Sequence, residues 1–358
     1  SGATGNPVLG GDMSGITLNQ PINDMMSLTL GWIRLNEDGQ IGTTKANGDS
    51  DAFTAVLPIN MEGMSLSPYV TYAYLGKDFV NKQGRFGSST SLGTFESNQT
   101  LNNGGGYETD DDNANAYWIG LPFSVSQMDP LVINGQVIYG AVTGADPIAS
   151  DVDSDALERK GYYADLSAEM KLGWGTPTIF GLYSSGDDDD IDDGSEAFPM
   201  IYNDGLINMG PNMAVGDMTS SGGDIGGVSL IQTNPAGIWM TGLSLKNIQL
   251  AEKLSSTLNF TYYRGTNDEE TGAALDVWNA AGYSLVDQRL TEEDQAYEIA
   301  LKNNYQVFEN LTAMVEAHYV KLDMEQKVKD LDGNTYDRGS DYKDEPAYRL
   351  AVGLKYNF

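Results

Sequence analysis

Thirteen segments of about ten residues alternate between apolar and polar residues, and the connections between them are in turn short and long. Such alternation predicts β-strands, because successive side chains of a strand point to opposite faces. Short turns at one rim and long loops at the other are typical of a transmembrane antiparallel up-and-down β-barrel. The predicted strands are 12–20, 24–35, 51–60, 64–75, 114–125, 131–143, 158–172, 176–184, 237–248, 253–264, 294–307, 311–322 and 347–358.

The chain is predicted to form one all-β barrel domain over residues 1–358. Full closure removes the exposed edges that an open sheet of this size would leave. Bacterial barrels have an even number of strands with both chain ends on the same side. We therefore expect at least one further strand before residue 12, within the chain or upstream of Ser1, and 14 to 16 strands in all.

The charged residues of the predicted strands fall on the face opposite the apolar one. In the last strand, Leu350, Val352 and Leu354 alternate with Arg349 and Lys355. In a barrel the apolar face meets lipid and the polar face meets water. A soluble amphipathic sheet would show the same alternation. The residues predicted to line a pore are Asp165, Glu169, Lys171, Glu298, Lys302, Glu316, His318, Arg349 and Lys355.

Composition narrows the class of protein further. The 358 residues include 51 acidic and 20 basic side chains, for a net charge of -31, and no cysteine. No apolar stretch is long enough for a transmembrane helix, and disulfides or thiolate metal sites are excluded. Without a basic patch, nucleic acid is not an expected partner. The start of the chain lacks a basic region followed by an apolar one, so we expect that any targeting signal has been removed.

The end of the chain and two internal segments resemble a known family. Tyr356 and the aromatic C-terminal Phe358 close an alternating strand and resemble the signal by which outer-membrane proteins reach the barrel-assembly machinery. Together with residues 51–76 and 309–323, this strand resembles the homotrimeric outer-membrane porins of sulfate-reducing bacteria. The resemblance implies a homotrimeric, water-filled diffusion pore for small hydrophilic solutes, held among the lipid and lipopolysaccharide of a bacterial outer membrane.

The loop over 76–113 is the predicted constriction of such a pore. A barrel of this size is too wide for its own side chains to fill, so a loop is expected to fold inside. An external loop is the alternative. The charged residues of the predicted constriction are Asp78, Lys82, Arg85, Asp110, Asp111 and Asp112. The acidic excess predicts a weak preference for cations, which a few constriction residues could override.

The loop over 185–236 is predicted to be long, acidic and extracellular. Its run GDDDDIDDG offers a concentration of carboxylates that suits Ca²⁺, but it lacks the spacing of an EF-hand. A solvated loop tip is the alternative, and the segment DLDGNTYD (330–337) is a fainter version of the same pattern. The candidate Ca²⁺ ligands are Asp187, Asp188, Asp189, Asp190, Asp192 and Asp193.

Catalysis is not predicted. His318 is the only histidine, and the hydrolase, zinc-protease and phosphate-loop motifs are absent. Two other classes remain open beside the porin. One is a non-conducting adhesin or surface scaffold whose acidic loops bind a partner, and the other is a soluble β-rich secreted protein.

Overall fold

The computed structural model of the chain describes the strands and part of the connections between them. The described residues contain no helix long and apolar enough to cross a membrane. The described ranges are 6–10, 14–36, 49–76, 114–143, 158–188, 195–203, 237–268, 291–323, 325, 327–329, 335–337 and 346–357.

Nineteen strands make up the regular structure of the described residues. They are β1 (Leu9–Gly10), β2 (Ser14–Pro21), β3 (Ser27–Asn36), β4 (Ser50–Val56), β5 (Ile59–Met61), β6 (Met64–Leu66), β7 (Tyr69–Leu75), β8 (Ala114–Met128), β9 (Leu131–Thr143), β10 (Arg159–Met170), β11 (Thr176–Ser184), β12 (Tyr202–Asn203), β13 (Ile238–Ala251), β14 (Leu254–Gly265), β15 (Gln295–Phe308), β16 (Leu311–Asp323), β17 (Lys327–Lys329), β18 (Thr335–Asp337) and β19 (Ala347–Tyr356).

Fifteen of these strands form one antiparallel sheet, in the order β19-β16-β15-β14-β13-β11-β10-β9-β8-β7-β4-β3-β2, with β5 and β6 beside this path. Along this path the strands follow one another in chain order, as in an up-and-down barrel, and β1, β12, β17 and β18 belong to two separate sheets. All thirteen predicted segments are confirmed as strands. Among the described residues, β2 and β19 are the two ends of the path, and no ladder joins them. β1 pairs with β12 in parallel, and β17 pairs with β18.

Two of the predicted strands are interrupted by proline. The segment 51–60 divides into β4 and β5 around Pro58, and the segment 64–75 divides into β6 and β7 around Pro68. Proline has no backbone N–H and cannot donate to a ladder. The carbonyls of Pro58 and Pro68 still accept hydrogen bonds, from the amides of Ser27 and Leu57 at 3.2 and 2.9 Å. The sheet is therefore continuous across the breaks.

The exposed face of the sheet is apolar. In β15, Tyr297, Ile299 and Leu301 are exposed while Ala296, Glu298 and Ala300 between them are buried. In β19 the exposed set Leu350, Val352 and Leu354 reaches 65–72% exposure. Large apolar side chains that stay exposed on strand after strand are the reverse of a water-soluble core.

Aromatic side chains border this apolar face on both sides. Towards the long connections, rings contact one another from strand to strand, for example Tyr139 with Tyr162 at 5.1 Å and Tyr262 with Tyr297 at 5.2 Å between centroids. Near the short turns lie the exposed rings of Tyr305, Phe308, Tyr356 and Trp174. Two such girdles around an apolar band mark the two interfaces of a membrane.

The width of the band agrees with a bilayer. Tyr297 and Tyr305 of β15 are eight residues apart, and so are Tyr348 and Tyr356 of β19. Eight residues of strand span about 27 Å, and a strand tilted by about 40° covers about 20 Å of membrane depth. An antiparallel up-and-down sheet with this exterior is the architecture of the outer-membrane β-barrels. The chain is therefore an outer-membrane protein.

Candidate functional site

The face opposite the apolar band is polar and forms the candidate site. Its side chains are buried because the sheet curls around them, and apolar residues from β3 through β15 belong to one interior cluster. Behind a lipid-facing exterior, such polar groups need water or one another as partners. The buried polar residues of the spanning strands on this face are Ser50, Thr71, Gln136, Arg159, Asp165, Ser167, Thr178, Ser184, Ser244, Ser256, Asn259, Thr261, Glu298, Glu316 and His318.

A charged cluster lies on the inner face of β14, β15, β16 and β19, and we call it the C-terminal wall cluster. Its members are Tyr263, Glu298, Lys302, Glu316, His318 and Arg349. Tyr263 donates its hydroxyl to Glu298 Oε2 at 2.9 Å. The other carboxylate oxygen of Glu298 lies 3.1 Å from Nδ1 of His318. Glu298 is thus held from two strands.

The second carboxylate of this cluster is held less closely. Glu316 Oε2 lies 3.5 Å from Nε2 of His318, and Oε1 lies 3.4 Å from Nζ of Lys302. Both Glu316 oxygens are buried without a hydrogen bond. The neighbouring cations therefore compensate its charge through space but do not satisfy its oxygens.

A second polar group lies on β9, β10 and β13, and we call it the central wall cluster. Gln136 donates to Asp165 Oδ2 at 2.5 Å. Lys246 donates to Glu169 Oε1 at 2.9 Å, with both side chains about a quarter exposed. Asp165 thus has a hydrogen-bond donor from the neighbouring strand β9. Glu169 has a donor from β13, which is two strands away in the sheet.

The charge of the inner face differs from that of the whole chain. Its strand positions carry five basic side chains and four acidic ones, although the chain as a whole has a net charge of -31. The acidic excess therefore does not come from the described strand positions of the inner face. The inward charged residues are Arg159, Lys246, Lys302, Arg349 and Lys355, against Asp165, Glu169, Glu298 and Glu316.

Residues 195–201, which we call the inner segment, lie against the inner face near the end with the long connections. Trp118 donates its Nε1 to the carbonyl of Pro199 at 2.9 Å, and Arg159 donates its Nε to the carbonyl of Ala197 at 2.7 Å. The amide of Ile201 bonds to the carbonyl of Val8 at 2.9 Å. These bonds fix the segment to β8, β10 and residues 6–10.

Apolar contacts reinforce this position. Phe198, Met200 and Ile201 are fully buried and join the inward side chains of the strands in one cluster. The ring of Phe198 lies 5.5 Å from that of Tyr163. The interior beside the inner segment is thus mostly apolar, with Arg159 as a buried charged residue there.

The inner segment corrects one expectation from the sequence. The whole of 185–236 is predicted to be extracellular, yet its residues 195–201 lie inside the curled sheet. The reason is local composition: the run AFPMI is apolar and is buried, whereas the acidic run precedes it. The predicted constriction over 76–113 lies outside the described residues beyond Gly76, and so do Asp78, Lys82, Arg85, Asp110, Asp111 and Asp112.

The predicted pore-lining residues all fall on the inner side of the alternation, but two lie away from the clusters. Lys171 follows the end of β10 and is exposed in the short turn, and Lys355 is exposed near the end of β19. Asp165 and Glu169 belong to the central wall cluster. The other five belong to the C-terminal wall cluster.

Sequence reasoning missed several inward residues. Gln136, Arg159, Lys246 and Tyr263 each contribute a contact described above and were not among the candidates. Lys246 and Tyr263 follow the alternation of their strands, so the same pattern could have identified them. Arg159 stands at the beginning of β10, where alternation alone does not reveal the contact with Ala197.

The acidic run of the predicted Ca²⁺ site is described only at its start. Asp187 Oδ1 accepts the amide of Glu196 at 3.1 Å, and the amide of Asp187 donates to Asn267 Oδ1 at 3.1 Å. Asp189, Asp190, Asp192 and Asp193 lie outside the described residues, as does Phe358. Where side chains are described, no group of three or more acidic, histidine or cysteine residues is arranged to hold a metal ion.

Comparisons with known proteins find similarity to solved structures only, at low sequence identity. No protein-family model matches the sequence, and no curated protein matches it. The outer membrane channel DcaP of Acinetobacter baumannii is 10% identical, with 95% of this chain and 100% of that chain covered, at a TM-score of 0.33. OprB of Pseudomonas putida is 11% identical, with 95% of this chain and 57% of that chain covered, at a TM-score of 0.32. The siderophore receptor PiuA of Acinetobacter baumannii is 11% identical, with 96% of this chain and 52% of that chain covered, at a TM-score of 0.45. The chain thus spans about half the length of this receptor.

Proposed function

We propose that the chain is an outer-membrane porin, a water-filled channel for the passive diffusion of small hydrophilic solutes and ions. One observation carries the proposal: charged and polar residues line the inner face of a sheet whose outer face is apolar and exposed. Charged groups at membrane depth are costly unless they meet water or one another, and water-filled passages are where they are usually found. The mixed charges of the two wall clusters fit such a passage.

The inner segment gives the proposed pore its constriction. It crosses the inner face where the long connections begin, and it is fixed there by hydrogen bonds from Trp118 and Arg159. A barrel of this size needs an inward fold of this kind to narrow its passage. The loop over 76–113 stays a second candidate for the same role.

The ion preference of the proposed pore depends on two opposing contributions. The acidic excess outside the inner face favours cations at the mouth, whereas the inner face is slightly basic. We propose a weak preference for cations at low ionic strength. Assembly as a homotrimer, insertion through the barrel-assembly machinery and contact with lipopolysaccharide belong to the same proposal.

A non-conducting adhesin or surface scaffold is the second candidate. The observation in its favour is the apolar cluster around the inner segment, because Phe198, Met200 and Ile201 fill interior space that a pore would leave to water. In this candidate the long acidic loops bind a partner. Its predicted property is a folded barrel that does not conduct.

Single-channel recording of the purified protein in a planar bilayer, across a salt gradient, tests the two candidates. Stepwise conductance in groups of three supports the trimeric porin, and the reversal potential reports its ion preference. A folded protein, identified by a heat-dependent shift in electrophoretic mobility, that inserts without conductance contradicts the porin and supports the adhesin.

A further inference from the structure

Three neighbouring side chains of the inner face carry buried polar atoms without hydrogen bonds. They are both oxygens of Glu316, Nε2 of His318, and Nη1 and Nη2 of Arg349. The side chains of Glu316 and His318 are 0% and 1% exposed. A buried polar group without a partner costs free energy, and a charged one costs more.

Among the carboxylates on the inner face of the described strands, Glu316 is the one whose oxygens form no hydrogen bond. The other carboxylates of the inner face each have a partner at hydrogen-bond distance: Glu298 from Tyr263, Asp165 from Gln136 and Glu169 from Lys246. The inner face therefore satisfies its acidic groups elsewhere. Glu316 and the guanidinium of Arg349 have opposite charges and lie on adjacent strands.

The ladder between β16 and β19 places these groups side by side. His318 pairs with Arg349, and Glu316 pairs with Ala351. Glu316 and Arg349 are therefore diagonal neighbours, whose Cα atoms are about 7–8 Å apart in an antiparallel pair. Opposite His318 on β15 stands Ala300. The side chains of Ala300 and Ala351 offer the charged groups beside them no hydrogen-bond partner.

We infer that Glu316 and Arg349 form a binding site for a small dipolar solute that carries both an ammonium and a carboxylate group, such as a free amino acid. Glu316 accepts hydrogen bonds from the ammonium group, and Arg349 donates hydrogen bonds from Nη1 and Nη2 to the carboxylate. His318 lies between them and offers Nε2 to the same solute. The inference deepens the proposed function, on which it rests for access of the solute through a water-filled interior.

Simple ions fit this site less well. A cation at Glu316 leaves the guanidinium of Arg349 without an acceptor, and an anion at Arg349 leaves the Glu316 oxygens without donors. A dipolar solute satisfies both groups at once, and paired charge-assisted hydrogen bonds are among the strongest in proteins. Water is the competing occupant, and it would not distinguish dipolar solutes from neutral ones of the same size.

The test compares L-alanine with lactamide, a neutral molecule of nearly the same shape. Titration calorimetry on the folded protein in detergent is expected to show saturable binding of alanine and none of lactamide. The changes Glu316→Gln and Arg349→Gln are each expected to weaken alanine binding about tenfold or more, since each removes a charged hydrogen-bond partner. Equal behaviour of alanine and lactamide in the unsubstituted protein would overturn the inference in favour of water alone.

Matched controls remove the same charges outside the site. Lys321→Gln changes a residue of β16 on the opposite face, and Glu309→Gln changes an exposed residue of the turn before β16. Both are expected to keep full alanine binding. If the two control changes weaken alanine binding as much as Glu316→Gln and Arg349→Gln do, the effect comes from the overall charge of the protein, and the proposed binding site is overturned.

Calorimetry and conductance separate this inference from the proposed porin. Alanine binding by a protein that conducts ions supports both. Conductance without any difference between alanine and lactamide keeps the porin and overturns the site. Alanine binding that needs Glu316 and Arg349, in a barrel that is silent in bilayers, supports the site and contradicts diffusion through the barrel.

Discussion

His318 and Glu298 are diagonal neighbours on adjacent strands, with Nδ1 of the imidazole 3.1 Å from Oε1 of the carboxylate. Neither side chain is exposed beyond 1%. The same carboxylate accepts the hydroxyl of Tyr263 at 2.9 Å. Glu298 thus joins three strands of the C-terminal wall cluster, and it does so inside a sheet whose exterior is in contact with lipid.

Glu298→Ala is expected to destabilise the folded barrel by about 3–5 kcal/mol, because the change leaves His318 and Tyr263 buried without their partner. Urea unfolding in lipid vesicles measures the free energy. The control Glu309→Ala, in an exposed turn, is expected to stay within about 0.5 kcal/mol of the unsubstituted protein. Equal stability of the two variants would show that Glu298 does not join the strands.

Gly161→Ala is expected to displace the inner segment. A Cβ atom at Gly161 would lie 2.6 Å from the backbone of Phe198 and 2.7 Å from the carbonyl oxygen of Glu196. Overpacking of this kind costs about 1–3 kcal/mol, and we expect a larger single-channel conductance because the constriction moves. The control is Gly181→Ala, where the nearest atom would be 3.5 Å away. An unchanged conductance in folded Gly161→Ala would remove the inner segment from the pore.

Trp118→Phe is expected to loosen the same segment through a different contact. The change leaves the buried carbonyl of Pro199 without its donor, at a cost of about 1–3 kcal/mol. We expect larger fluctuations of the open-channel current together with the loss of stability. Trp239→Phe, on the outer face, serves as the control. If the Trp118→Phe protein is destabilised but its open-channel current does not fluctuate more, the hydrogen bond to Pro199 stabilises the fold without affecting the pore.

Leu301→Arg and Tyr297→Arg test the position of the membrane. Leu301 lies midway between the girdle residues Tyr297 and Tyr305 on β15. Arginine at the midplane of an outer-membrane barrel costs about 2–4 kcal/mol, and near an interface it costs about 0–1 kcal/mol. Unfolding from vesicles should therefore show a larger loss for Leu301→Arg. The reverse order would place the bilayer elsewhere along the strand.

The ion preference is expected to depend on salt. At 0.1 M salt the screening length is about 10 Å, and at 1 M it is about 3 Å. Acidic loops at the mouth then lose their influence, while the slightly basic inner face stays in contact with the permeating ion. Reversal potentials should show a weak cation preference at low salt that decreases or reverses at high salt. A strong cation preference at both concentrations would contradict this division of charge.

Much of the fold can be predicted from local sequence. The thirteen strands, and the inward direction of Glu298, Glu316 and His318, follow from alternation with a period of two, which depends only on neighbouring residues. The interruptions at Pro58 and Pro68 are local as well, because each follows from a missing N–H group. The lipid-facing band and its girdles follow from the same alternation once the strands are counted.

The contacts of the interior cannot be predicted in this way. Trp118 and Pro199 are 81 residues apart in the chain, and Lys246 and Glu169 are 77 apart. Which residues meet across the inner face depends on the register of every ladder between them and on the path of the long connections. Alternation assigns each charge to a face of the sheet. Only the folded sheet pairs Glu298 with Tyr263 and His318 and leaves the terminal atoms of Glu316 and Arg349 without hydrogen bonds. The reason is that hydrogen bonds form between atoms that the curvature of the sheet brings together.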